Sequence, residues 1–332
     1  GHLEQQPLRV VIISDFEGIS GVHTFRQVIK EFGKPFEKAK TLITEDINAA
    51  VRGLKAAGAT EIGVVDGHRW GNPPNIIDEK IEAGATVLRK KRERDDFIKS
   101  CDAQVLVGFH AMAGTKDGFL SHTFSSILGL ALGLKGQYIG ETAWCVWKGA
   151  YTGFPTIMVT GDAAVVREAK SFFPEITGVT VKTALSRTSA ECLSLKKTRR
   201  MIEDVATHAL KNLSQFKVLE TPEPPIETDL VFASPGFTDP VAAIPGYRRK
   251  GDRWLSYTAK NWPELDEAFS MALRLALSQL VNLQENLSGV ESEQVNRYVR
   301  EFVCHVWESK FPPLPKLKTH REKQVQPKQP KL

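Results

Sequence analysis

Residues 8–66 read as strand, helix, strand, and that succession leaves little freedom in the fold. The run LRVVIIS at 8–14 is short and apolar. It is followed at 35–57 by a helical period carrying Ala39, Leu42, Ile43, Ile47, Ala50, Val51 and Leu54. Gly58 is a natural C-terminal stop for that helix. A second apolar run, EIGVVD at 61–66, comes directly after it. Strand, helix and strand with short connections form a right-handed parallel βαβ unit.

The pattern continues down the chain. Short runs at 85–88 and 103–109 flank a charged helix near 92–100. A glycine-broken stretch follows from 123, with Lys135-Gly136 as a hairpin turn. Helices are expected at 141–151, 163–173 and 194–216, strands at 155–159 and 179–183, and the last of these strands reads as a sheet edge. Thr221-Pro222-Glu223-Pro224-Pro225 punctuates the body. Beyond it come strands at 228–233 and 253–258 and helices at 263–283 and 291–309. The fold class is therefore α/β, with a largely parallel sheet flanked by helices and a smaller second α/β or α+β portion. Residues 1–7 are assigned to a leader, 8–220 to the main α/β domain, 221–309 to the smaller portion and 310–332 to a mobile tail rich in Pro, Lys and Gln.

Charge excludes one class of partner. The chain carries +5 overall, yet the residues from Lys310 onward hold six lysines and Arg321 against Glu322, which leaves the body about −1. A nearly neutral body argues against nucleic acid. No apolar run approaches the roughly 20 residues of a membrane span. Cysteines at 101, 145, 192 and 304 make no C-x-x-C pair, which disfavours a zinc knuckle or a disulfide framework and fits buried thiols. The chain starts Gly1-His2 and not with methionine. Cytoplasmic localisation is expected, with export after loss of a signal peptide as the alternative.

The candidate chemistry lies at strand ends. Asp15 and Glu17 follow the first strand two positions apart, so continued alternation aims both to one side. His68 follows the second strand and His110 the run at 103–109. A parallel sheet gathers such residues along its carboxyl edge, where open α/β folds bind ligands. Two carboxylates and two imidazoles together suit zinc and its neighbours. Other motifs fail. Gly18-Ile19-Ser20-Gly21 is no nucleophile elbow, residues 108–116 lack the glycine spacing of a phosphate loop, and Gly129, Gly133 and Gly136 do not make G-x-G-x-x-G. His23, His208, His305 and His320 have no neighbours that single them out.

The blocks D-F-E-G-I-S-G, V-D-G-H, V-G-F-H-A, Leu120-Ser121-His122, I-G-E-T and V-T-G-D stand in an order and at spacings that resemble the M55 family of peptidases, zinc-dependent D-aminopeptidases of the DppA type. The similarity runs from about Arg9 to about Leu283. It implies Asp15, Glu17, His68, His110 and Glu141 as ligands of two zinc ions per chain, and His122 as the catalytic histidine. It also implies a short peptide substrate and a ring-shaped homo-oligomer, a decamer, with active sites facing an inner channel. Asp15, the shorter acid, is expected to bridge the ions.

Three alternatives accompany this reading. One is a metallohydrolase of other amides, lactams or esters with the same ligands. Another is a non-catalytic peptide-binding protein whose metal is structural. In the third the basic tail serves assembly by binding an acidic partner or a membrane surface.

Overall fold

The computed structural model describes residues 6–286 and 289–318. In chain order its elements are β1 (Arg9–Ser14), α1 (Lys34–Ala56), β2 (Glu61–Asp66), β3 (Ala85–Val87), α2 (Lys91–Lys99), β4 (Ala103–Phe109), β5 (Ala131–Leu134) and β6 (Gln137–Ile139). They continue with α3 (Glu141–Thr152), β7 (Thr156–Asp162), α4 (Ala163–Phe172), β8 (Thr177–Ser186), β9 (Ser189–Cys192) and α5 (Leu195–Lys211). The last are β10 (Ile226–Val231), α6 (Pro235–Ala242), β11 (Arg248–Gly251), β12 (Trp254–Ala259), α7 (Trp262–Asn286) and α8 (Ser292–Glu308).

Seven strands form one sheet in the order β3-β2-β1-β4-β7-β8-β9, parallel except for the last. Every residue of β4 and β7 is buried, as expected of strands covered on both faces. Val105 and Val107 enter one core with α1 and α5, while Leu106 and Phe109 enter another with α3, α4 and α7. The edge differs from the sequence expectation. β8 is longer than the 179–183 run and is not terminal, because the polar segment β9 turns back to pair with it, Lys182 opposite Cys192.

A second, antiparallel sheet has the order β11-β12-β10-β5-β6. Its β5–β6 hairpin turns at Lys135 and Gly136, both in the left-handed region, φ 50° and 86°, as a two-residue hairpin requires. This sheet draws β5 and β6 from before residue 221 and the other three strands from after it, with Thr228 of β10 opposite Leu134 of β5.

The tail expected to be mobile from residue 310 is instead docked as far as 318. Phe311 and Leu314 pack on Val231 and Ala131, Leu317 is buried, and Tyr138 Oη donates to Pro315 O at 2.7 Å. A few apolar side chains spaced among the prolines were enough to bind it to the second sheet. Residues 319–332, and 1–5 of the leader, lie outside the described residues. All four cysteines are free and half-buried. No described helix is long and apolar enough to cross a membrane.

Candidate metal centre

The strand order reverses between β1 and β4, and that switch point is where an open α/β sheet leaves a crevice. Asp15 and Glu17 emerge from β1, His68 from β2 and His110 from β4. Strand alternation is not what aligns the two acids. β1 ends at Ser14, and the chain turns at once, its first step secured by Asp15 N donating to Val107 O at 2.8 Å. Two glycines allow the turn to lie on β4. A Cβ on Gly18 would meet Phe109 O at 1.9 Å, and Gly108, at φ 78°, has Asp15 O and Ile19 where its Cβ would stand.

The turn is also held from behind. Lys182 of β8, fully buried, donates to Glu17 O, Ile19 O and Val22 O at 2.6, 2.8 and 2.6 Å. Burial pushes its ammonium down to about 8. Asp46 of α1 accepts from Ser20 N at 2.8 Å. Asn75 Nδ2 donates to His68 O and to Asp66 Oδ1, both at 2.8 Å, fixing the segment after β2. There Arg69 and Trp70 adopt left-handed conformations, φ 50° and 54°, a strain typical of functional turns.

Asp15 stands at the middle. Its Oδ1 lies 3.1 Å from His68 Nδ1 and its Oδ2 3.2 Å from His110 Nε2. Glu17 Oε1 is 3.3 Å from His68 Nδ1, and Glu141 Oε2 is 2.7 Å from His110 Nε2. Glu141 opens α3 and is steadied by Phe124 N, which donates to its Oε2 at 3.0 Å. His122 stacks on His110, with centroids 3.8 Å apart, and its Nε2 is 3.8 and 3.9 Å from Glu17 and Glu141. Three overlapping groups therefore have their ligand atoms within 4.8 Å of one another: Asp15, Glu17 and His68; Asp15, His110 and Glu141; Glu17, His110 and His122.

Each imidazole is oriented by a backbone carbonyl. His68 Nε2 donates to Val28 O at 2.8 Å, His110 Nδ1 to Ala111 O at 3.1 Å and His122 Nδ1 to Leu120 O at 2.7 Å. That leaves one nitrogen of each ring facing the acids. Such a nitrogen meets a carboxylate only by carrying a second proton, or it offers its lone pair to a cation. The titration directions express the same tension. Burial opposes protonation of His68 and His110, but the charges of Glu17 and Glu141 and contact with Asp15 raise both well above the usual histidine range. Burial raises Glu17, and the charge of Asp15 adds to it. Asp15 is held well below the usual carboxylate range; burial works against this, and the adjoining His110 and His68 outweigh it. His122 is lowered well below its ordinary value, by burial first and then by the charge of His110. Two buried atoms, Glu17 Oε2 and His110 Nε2, have no hydrogen bond of proper geometry.

All six residues expected from the sequence thus meet in one place. Sequence reasoning missed Lys182 and Glu168. The latter is a buried acid pushed up to about 7 by its burial; its Oε2 accepts from Met112 N, and its Oε1 lies against Gly140 beside Glu141. Its position inside an amphipathic helix gave no signal.

Three carboxylates and three oriented imidazoles gathered at the switch point of a mostly parallel sheet are a donor set that could hold metal ions, as a metal-dependent hydrolase requires. The sequence matches the M55 peptidase family, described as D-aminopeptidase, over residues 8–271, and the chain belongs to that family. A D-aminopeptidase of Bacillus subtilis (strain 168) is 27% identical over 278 residues, which cover 81% of this chain and 98% of the relative. Among solved structures, the Zn-dependent D-aminopeptidase DppA from Bacillus subtilis, a self-compartmentalizing protease, superposes with a TM-score of 0.74. It is 26% identical, with 81% of this chain and 98% of that one covered.

Proposed function

We propose that this chain is a zinc-dependent aminopeptidase that removes D-amino acids from the N-termini of short peptides, with two ions per chain held by Asp15, Glu17, His68, His110 and Glu141. The observation that carries the reading is the placement of Asp15, whose two oxygens face two different histidines, each accompanied by its own glutamate. Asp15 would be shared between two ions, with Glu17 and His68 available to one and His110 and Glu141 to the other. The donor set fits the metal, since mixed carboxylate and imidazole ligands suit zinc. The unsatisfied Glu17 Oε2 and His110 Nε2 are atoms that a cation would partner. Buried carboxylates are otherwise costly.

Zinc at such a site supplies an activated water near neutral pH and polarises a scissile carbonyl. The protein's own part falls to His122. Its Nδ1–H is committed to Leu120 O and its ring is held neutral, so Nε2 is free to take a proton from the attacking water and pass it to the leaving amine. By likeness to the self-compartmentalizing protease, we infer assembly of copies into a closed ring, with ten as the expected number and light scattering as its test.

Elemental analysis, together with hydrolysis of D- and L-aminoacyl amides, tests the assignment. Two zinc ions per chain and faster turnover of the D-amides are expected. Absence of hydrolysis with metal bound would favour a structural metal in a peptide-binding protein.

A further inference from the structure

Helix α8 lies beyond residue 271, where the match to the family ends, yet it is built into the site. It joins two segments that flank the metal centre. On one side Arg300 Nη1 donates to Glu31 O at 3.2 Å, and Trp307 stacks on Phe25 at 6.4 Å, in the same stretch whose Val28 O orients His68. On the other side the Arg187 guanidinium sits 4.8 Å above the Trp307 ring. It also reaches Val306 O, Ser309 O and Ser121 O, each at 3.5 Å, and Ser121 is the neighbour of His122. Between the two sides the indole of Trp307 meets the imidazole of His122 edge to face, with centroids 5.7 Å apart and planes at 87°.

Trp307 is 4% exposed, and its Nε1–H is buried without an acceptor among the described residues. A buried indole N–H is ordinarily paired. A peptide carbonyl or carboxylate oxygen would pair it.

We propose that Trp307 is a specificity-determining residue contributed by the C-terminal extension, forming the wall of the substrate pocket beside His122. The proposal rests on the aminopeptidase reading. Since His122 delivers its proton to the leaving amine, the group against Trp307 is the residue after the scissile bond. The wall restricts that residue to small side chains, and the indole N–H donates to its carbonyl or terminal carboxylate.

The test uses the full-length, zinc-loaded protein with D-alanyl-glycine, D-alanyl-leucine and D-alanyl-phenylalanine. The unsubstituted enzyme should prefer glycine. Trp307→Ala should raise the phenylalanine-to-glycine ratio of kcat/KM by about 10-fold or more, the range that one or two methylenes command in a closed pocket. Trp307→Phe retains an aromatic wall without the donor. It should keep the ratio while raising KM for all three peptides by roughly 5- to 10-fold. A readout independent of turnover is the rate at which diethyl pyrocarbonate modifies His122, followed by peptide mass spectrometry. That rate should rise about 10-fold in Trp307→Ala as the buried ring becomes accessible. An unchanged ratio with an unchanged modification rate overturns the proposal, as does a Trp307→Phe enzyme with unaltered KM. If no variant hydrolyses any peptide and yet modification accelerates, the wall stands and the aminopeptidase reading falls.

Discussion

Replacing Lys182 by methionine removes an ammonium that meets the metal turn through its backbone carbonyls and not through the ligand side chains, and it should nevertheless damage the site. Three buried, charge-assisted hydrogen bonds to Glu17 O, Ile19 O and Val22 O are lost, each worth about 2 kcal/mol. Against this stands relief from burying a cation. The fall of its titration from 10.5 to about 8 puts that relief near 3 kcal/mol. The net expectation is a loss of about 3 kcal/mol, a large share of the 5–15 kcal/mol that holds a typical domain. Thermal unfolding should then occur about 6 °C lower. Because Glu17 belongs to the turn that is freed, zinc affinity should fall with it, read by competition with a coloured chelator. A melting temperature within about 2 °C of the unsubstituted protein, with zinc affinity intact, would refute the idea that Lys182 pins the metal turn.

Three further outcomes are expected. His122→Ala should retain its zinc while losing about 10²- to 10⁴-fold in turnover, measured by elemental analysis beside kcat. Asp15→Ala should lose metal from both sides of the site, giving less than one ion per chain by mass spectrometry, since Asp15 is shared by the two groups. Glu168→Gln should alter how stability depends on pH. The folded carboxyl is raised from 4.5 to about 7, so its contribution is intact below the unfolded value and lost as pH climbs through 7. The unsubstituted protein should therefore weaken between pH 5 and 8 by an amount approaching about 3 kcal/mol. Glu168→Gln should flatten that slope in urea titrations at the two pH values; an identical slope would remove Glu168 as its source.

The parallel sheet and the positions of Asp15, Glu17, His68 and His110 were legible in the sequence because strand ends are set by local runs. A parallel sheet must bring those ends together. The alternation argument for Asp15 and Glu17 reached the right convergence for an incomplete reason. The strand ends at Ser14, before either acid, so alternation does not carry through them, and Gly18 and Gly108 make the turn that aims them. Glu141 and His122 came through family resemblance alone, as an acid in a first helical turn and a loop histidine carry no pattern of their own. Lys182 stayed hidden because a lysine in a strand reads as solvent-facing; its acceptors are carbonyls 160 or more residues away in the chain. The docked segment 311–318 was misread for a related reason. Composition measures average apolarity, whereas Phe311, Leu314 and Leu317 need only fit a surface already built.

The second sheet bears on how this chain comes apart. Its β5–β6 hairpin and its β10–β12 strands belong to stretches on opposite sides of the proline-rich loop at 221–225, exposed at 223–225, and they are joined through the β5–β10 ladder from Ala131–Val231 to Leu134–Thr228. Cutting that loop with a protease would sever one peptide bond and leave the hydrogen-bonded seam in place. The two fragments should travel as one species in gel filtration and separate only in denaturant. Expressed separately and mixed, they are the natural pair for a complementation assay, with recovered zinc binding as the sign that the seam has closed.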